Sequence, residues 1–373
     1  MTYNPLLLQK DGSSVVGDTY SETYTLHGST PLSGLARDFA QKLVSHGYIG
    51  GQVPASPPIE LSTEELQKLH TQATQGNMRA QTALGEFYDF GHYVPQNYAT
   101  ARGWYEKAAA QGDKEAQYNL GQLYAGGKGV PQDYTVAHQW WEKAAVQGTA
   151  QAQYNLGILY DQGRSVPQDY PVAREWYQKA AVQGLAEAQS NLGLMYQNGR
   201  GVPQDYTQAR LWFEKSAAQG FATAQVNLGG LYAIGLGVPQ DYTVARAWYE
   251  KAADHGDANA QFNLGVLYAK GRGVPQDYAQ ARLWYEKSAA QGYANAQINL
   301  GALYATGQGV PQDYAKARQW LEQAVAQGNA VAQNNLGYLY VDGKGVPRAR
   351  FTRRNVPRWT WRGAKLCTSL YVV

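Results

Sequence analysis

The side chains able to do chemistry are few, and their spacing does not bring them together. The chain of 373 residues has six histidines, His27, His46, His70, His92, His138 and His255, and one cysteine, Cys367. A metal site needs ligands that recur at a spacing one turn or hairpin can gather. These histidines fall at unrelated positions, so the reading is structural or surface histidines, with no metal and no cofactor. A lone thiol makes no intrachain disulfide, and nothing pairs it with a base. Segments such as Gly127-Lys128-Gly129-Val130-Pro131 have the glycines of a phosphate loop. They lack its Lys-Ser/Thr and follow a helix instead of a strand, so the glycines serve a turn. The recurring carboxylate–ammonium pairs, Glu106-Lys107 through Glu286-Lys287, read as a solvated helix face and not as an acid/base couple. Catalysis is not expected, and a hydrolase is the least favoured reading.

What does recur is a scaffold. Pro95, Pro131, Pro167, Pro203, Pro239, Pro275, Pro311 and Pro347 stand 36 residues apart without insertion or deletion. In the second copy Ala116, Leu120, Leu123, Tyr124 and Gly127 are spaced four, three, one and three apart, which is one face of a helix, here helix A. Gly127 and Gly129 end it. Pro131 blocks helix continuation, and Asp133 is placed to accept the free amides of the next first turn. Ala137, Trp140, Trp141, Ala144 and Ala145 form the apolar stripe of helix B, and Gly148 supplies the left-handed residue after it. Gly121 and its equivalents, Gly85 through Gly337, lie inside helix A, where glycine costs about 0.8–1 kcal/mol relative to Ala. Close approach of a Trp or Tyr ring from helix B explains them. The expected fold is therefore all-α, an α-solenoid of 36-residue helix-turn-helix repeats, each touching its neighbours only.

The run Ala152…Leu156-Gly157…Tyr160, then Gly237-Val238-Pro239…Asp241-Tyr242, Ala245…Trp248 and Lys251-Ala252-Ala253…Gly256 resembles the Sel-one-like repeat family, relatives of the tetratricopeptide repeats. The likeness covers about residues 80 to 347. It implies a right-handed superhelix with helix A on the concave surface, and adaptor proteins that scaffold complexes, including bacterial members. The disulfide of the cysteine-rich branch is not implied, because its cysteines are missing here.

Composition agrees with a packed repeat array. The sequence is 44% apolar, and its 41 Gly and 15 Pro among 373 residues fall short of disordered compositions. The organisation reads as residues 1–60, an N-terminal segment with a helix over 32–46 and a Pro-rich linker; 61–78, a capping helix with Ser62 and Glu65 as a capping box; and 79–345, seven full repeats and an eighth helix A. Residues 346–373 form a basic tail. Arg348, Arg350, Arg353, Arg354, Arg358, Arg362 and Lys365 put +7 there with no acid, which leaves the remainder at −4 out of a net +3. The tail could make an anionic contact, but the body has no basic stripe for specific nucleic-acid binding. No membrane span or signal peptide is read, so the expected compartment is the cytoplasm, with specialised secretion as an alternative.

Differences between the repeats point to function. Helix B and the loop hardly change. Helix A varies at Thr82, Tyr118, Tyr154, Ser190, Val226, Phe262, Ile298 and Asn334, and four residues on at Glu86, Gln122, Ile158, Leu194, Gly230, Val266, Ala302 and Tyr338. A step of four keeps the two rows on one helical face. Exposed apolar members of that face, Ile158, Leu194, Val226, Phe262, Val266 and Ile298, would mark an interaction site. Near-constant Asn119, Asn155, Asn191, Asn227 and Asn263 would either clamp a peptide backbone or fix the repeat spacing. The expected partner is a protein or peptide held on the concave face. Alternatives are a secreted bacterial effector and a regulatory arm acting with a second chain.

Overall fold

The computed structural model describes residues 61–341 and 343. The expected helix over 32–46, the linker before the array and the basic tail lie outside these residues. Among the described residues there are sixteen α-helices and no strands. They fall in two compact units that divide after Asp205.

In the first unit the helices are α1 (Thr63–Thr74), α2 (Met78–Phe90), α3 (Tyr98–Ala110), α4 (Lys114–Gly126), α5 (Tyr134–Val146), α6 (Ala150–Gln162), α7 (Tyr170–Val182) and α8 (Ala186–Asn198). In the second they are α9 (Tyr206–Ala218), α10 (Ala222–Ile234), α11 (Tyr242–Asp254), α12 (Ala258–Lys270), α13 (Tyr278–Ala290), α14 (Ala294–Thr306), α15 (Tyr314–Ala326) and α16 (Ala330–Val341). From α2 onward, even-numbered helices are helix A and odd-numbered ones helix B. Within each unit, every helix packs on those before and after it in the chain.

Local chemistry fixes the helix ends. Asp133, Asp241, Asp277 and Asp313 each accept from two first-turn amides of helix B through one carboxylate oxygen, at 2.8–3.1 Å. Helix A ends at a left-handed glycine, as at Gly127 with φ 64°. The glutamine after the loop proline then turns back on it: Gln132 Nε2 donates to the Ala125 carbonyl at 2.7 Å, and Gln168, Gln276 and Gln312 repeat the contact at 2.7–2.9 Å. At α1 the capping box forms, with Ser62 N donating to Glu65 Oε2 at 2.9 Å.

The mid-helix glycines behave as their spacing predicts. A Cβ on Gly157 would stand 2.5 Å from Tyr177 Cδ1, and one on Gly265 would stand 2.5 Å from Tyr285 Cδ1. Both rings are almost wholly buried. These hairpins close on a ring laid against bare backbone, and over Gly301 Leu321 takes the ring's place, which raises local packing density at the cost of helix propensity.

Candidate functional site

The helix-A row centred on Tyr118 does not reach the surface. Tyr118 and Tyr154 are 6% exposed, Ser190 1%, Val226 and Phe262 8%, and Ile298 0%. The expectation that the apolar members lie exposed is corrected for this row and for Ile158, which is 0% exposed. The cause is the large helix-B side chain that sits on the nearby glycine, most often a ring and, beside Ile298, Leu321. Tyr154 packs on Tyr177 with centroids 5.7 Å apart, Phe262 packs on Tyr285 at 5.9 Å, and Trp141 Nε1 donates to the Tyr118 carbonyl at 3.2 Å. Variation along this row follows how each unit fits its own ring.

The accessible arc of helix A lies one position further round. In α4 it runs through Glu115, Asn119, Gln122 and Gly126, and in α12 through Asn259, Asn263, Val266 and Lys270, with steps of four, three and four. The corresponding residues are Gln151, Asn155, Ile158 and Gln162 in α6, Glu187, Asn191, Leu194 and Asn198 in α8, and Thr223, Asn227, Gly230 and Ile234 in α10. Among the sequence-derived candidates, Gln122, Leu194, Val266, Asn227 and Asn263 are half-buried on this arc. Asn155 and Asn191 lie beneath it, at 1% and 9% exposure. Two variable rows escaped the sequence reading, the one starting at Glu115 and the one starting at Gly126. Their only signal is differing residue types between otherwise matching repeats.

The Asn row has a structural duty as well. Asn155 Nδ2 donates to Gln122 Oε1 of the preceding helix A at 3.1 Å, and Asn263 Nδ2 donates to Asn259 Oδ1 at 3.3 Å. A stronger register device is a second ladder. Buried Gln153 donates from Nε2 to the Ala145 carbonyl at 3.0 Å, and its Oε1 accepts from Gln183 Nε2 at 2.7 Å. Gln81 with Gln111, Gln117 with Gln147, and Gln297 with Gln327 repeat the pairing at 2.8–3.0 Å. Each Gln–Gln pair ties the two helices of one repeat, and the bond from its helix-A member to the preceding helix B, as from Gln153 to Ala145, ties that repeat to the one before, so polar satisfaction in the core holds the 36-residue spacing.

The pairs read as a solvated Glu-Lys face divide their duties. Lys107, Lys143, Lys179, Lys215, Lys251 and Lys287 each lie over the preceding Trp ring, with Nζ 4.0–4.2 Å from its centroid. Glu106, Glu214, Glu250 and Glu286 instead meet an arginine one turn back, as in Arg282 with Glu286 at 2.7 Å.

Two carboxyls of the first unit are raised by burial. Burial pushes the Asp89 carboxyl up to about 6, against the opposing pull of Lys128 and of the Tyr105 hydroxyl, which donates to Asp89 Oδ2 at 3.3 Å. Burial raises Asp161 as well, opposed by Arg200 and Tyr177. Among the described histidines, His70 meets Trp104 edge-on at 5.4 Å, and His138 meets the Tyr160 ring at 5.8 Å with its Nε2 3.4 Å from that hydroxyl. Among the described residues no three His, Cys, Asp or Glu stand where they could hold a metal ion, and no helix is long and apolar enough to cross a membrane.

Tandem helical hairpins with a large helix-B side chain packed on a mid-helix glycine and a variable open arc define the class: a helical-repeat solenoid. The Sel1 repeat profile matches residues 79–113, 114–148, 150–185, 186–221, 222–257, 258–293, 294–329 and 330–350, and the chain belongs to the Sel1 repeat family. Among solved structures it is similar to a protective antigen present in uropathogenic Escherichia coli strains that displays an SLR fold. The two share 36% identity and a TM-score of 0.70, over 83% of this chain and 68% of that one. It is also similar to a Sel1 repeat protein from Oxalobacter formigenes, at 35% identity and a TM-score of 0.62, over 85% of this chain and 90% of that one. No curated protein matches the chain. Sel1 repeat solenoids are typical of protein–protein interaction scaffolds.

Proposed function

We propose that the protein is a non-enzymatic adaptor which holds a protein or peptide partner along the open arc of helix A. The observation that carries this reading is the contrast between rows. The helix-A glutamines of the ladder, Gln81 through Gln333, and the mid-helix glycines stay constant, whereas the residue four before the Asn row changes between repeats, through Glu115, Gln151, Glu187, Thr223 and Asn259. Equal packing duty with unequal surface chemistry is what recognition of one particular partner along a solenoid requires. Leu194, Val266, Gln122, Asn227 and Asn263 contact the partner directly. Tyr118, Tyr154, Ile158, Ser190, Val226, Phe262 and Ile298 act from beneath, by setting where the arc lies.

The test uses the full chain as affinity bait beside the same chain carrying Leu194→Glu and Val266→Glu. Both residues are half-buried, so the fold tolerates the change better than it would at Ile158 or Phe262. A partner retained by the parent and lost from the variant, with unchanged circular dichroism, supports the reading. Equal retention moves the site to helix B or the loops.

A further inference from the structure

Gly230 on α10 is a gap in the open arc. The matching position carries a side chain in every other described repeat, among them Gln122, Leu194 and Val266. Glycine is unfavourable inside a helix, and here no packing demands it. Gly229 beside it lies under the Tyr249 ring, but a Cβ on Gly230 would meet only the Tyr249 hydroxyl, at 3.9 Å.

Two polar groups around the gap are without the partners their counterparts have. Tyr249 is 5% exposed, and its hydroxyl makes no hydrogen bond; burial alone raises its pKa. Tyr105, its counterpart on α3, donates to Asp89, and the residue matching Asp89 on α10 is Ala233. The second group is Asn263 of α12. Its counterpart Asn155 donates from Nδ2 to Gln122 Oε1 on the preceding helix A at 3.1 Å, and three repeats on the acceptor's place falls to Gly230. Asn263 turns back instead to Asn259 Oδ1 on its own helix, at 3.3 Å. Gln122 thus shows what fills this place when a side chain is present: a short aliphatic stem ending in a carboxamide. The rim is apolar, with Ile234 one turn on at 65% exposure and Val266 half-buried. Tyr249, Asn263 and Val266 carry no charge, and Lys270 stands a turn beyond Val266 at the end of α12, so a neutral carboxamide enters at lower cost than a carboxylate.

We propose that the gap at Gly230 receives a glutamine side chain of the partner, whose carboxamide oxygen accepts from Asn263 Nδ2 and whose amide nitrogen donates to the Tyr249 hydroxyl oxygen. The partner then supplies from outside the contact that Gln122 makes with Asn155 inside the array. This rests on the adaptor reading and names one residue of the partner. The buried hydroxyl gains the hydrogen bond it lacks, which is where the selectivity for a polar tip over an aliphatic one arises.

The experiment is an NMR titration of the full chain with N-acetylglutamine N-methylamide, beside the corresponding glutamate and leucine compounds. The Gly230 backbone amide and the Asn263 side-chain amide are followed. The expected result is a saturable shift of both signals by the glutamine probe, with half-saturation near about 1 mM, as suits a single-residue ligand, and at least about fivefold weaker response to the other two. Gly230→Gln fills the gap from within. It is expected to abolish the response while raising the midpoint of urea unfolding, so that loss of binding is not loss of fold. Tyr249→Phe keeps the ring on Gly229 and removes only the hydroxyl, and is expected to weaken the glutamine probe by at least about threefold. No saturable shift, an equal or stronger response to glutamate or leucine, or a response that survives Gly230→Gln overturns the proposal. None of these results touches the adaptor reading, whose capture test relies on Leu194→Glu with Val266→Glu.

Discussion

Adjacent glycines on α10 give a sharp test of the ring-on-backbone principle. A Cβ on Gly229 would stand 2.7 Å from Tyr249 Cε1 and 3.2 Å from the Ala245 carbonyl. One on Gly230 would meet only the Tyr249 hydroxyl, at 3.9 Å. Both substitutions gain the same helix propensity, about 1 kcal/mol, because both lie mid-helix. Gly230→Ala retains that gain and is expected to stabilise by about 0.8–1 kcal/mol. At Gly229 the gain is opposed by overpacking, typically about 1–3 kcal/mol and at the upper end here, because Tyr249 is buried between two helices and its ring has nowhere to turn. Gly229→Ala should therefore destabilise by about 1–2 kcal/mol, which puts the two neighbours about 2–3 kcal/mol apart. Urea unfolding followed by circular dichroism reads the difference. Amide hydrogen exchange on α10 and α11 localises it, which matters because stability in a repeat array is a sum of local terms. If both variants move in the same direction, or differ by less than about 0.5 kcal/mol, the ring does not demand the glycine and the packing argument fails.

Gln153→Leu removes the link between Ala145 and Gln183 while filling similar volume. It is expected to cost about 1–2 kcal/mol, since the Ala145 carbonyl loses its side-chain donor and keeps only the Gly148 amide, and the Gln183 amide loses its 2.7 Å acceptor; the midpoint of urea unfolding measures it, and a loss under about 0.5 kcal/mol would count against the ladder as a register device. Asp89 has its folded pKa raised from 3.8 to about 6, so the folded state holds the extra proton between those values and the residue's contribution to stability falls as pH rises through about 4 to 6. Asp89→Asn should flatten that part of the stability profile and stabilise the fold above pH 6 by up to about 3 kcal/mol, as read by thermal melts at pH 4.5 and 7.5; an unchanged slope would refute the assignment. Leu194→Glu with Val266→Glu should abolish partner capture at a cost under about 1 kcal/mol in stability, with both quantities measured on the same preparation.

The fold was legible because its determinants are local and repeated. A period of 36, an Asp placed to cap helix B, a left-handed glycine after helix A, and a glycine where the opposing ring comes down can each be read from a single unit. The site was legible only to within one helical position. Successive residues on a helix point about 100° apart, so the row centred on Tyr118 and the row centred on Asn119 are neighbours in sequence but differ in environment. Both differ between units in parts of the chain, the first because Tyr154 must fit Tyr177 and Phe262 must fit Tyr285, and residue types alone do not separate fit from display. The Gln ladder was invisible for another reason. Gln153 and Gln183 are 30 residues apart at opposite ends of one hairpin, Gln153 also reaches the Ala145 carbonyl of the preceding unit, and nothing in either helix announces that their amides meet. The sequence by itself determined the helices, their ends and the pairing of ring with glycine, since these depend on propensity and on contacts inside one hairpin. Only the tertiary structure decided which arc of helix A stays open, because that arc is what remains after helix B and the preceding repeat have each covered their share of a narrow cylinder.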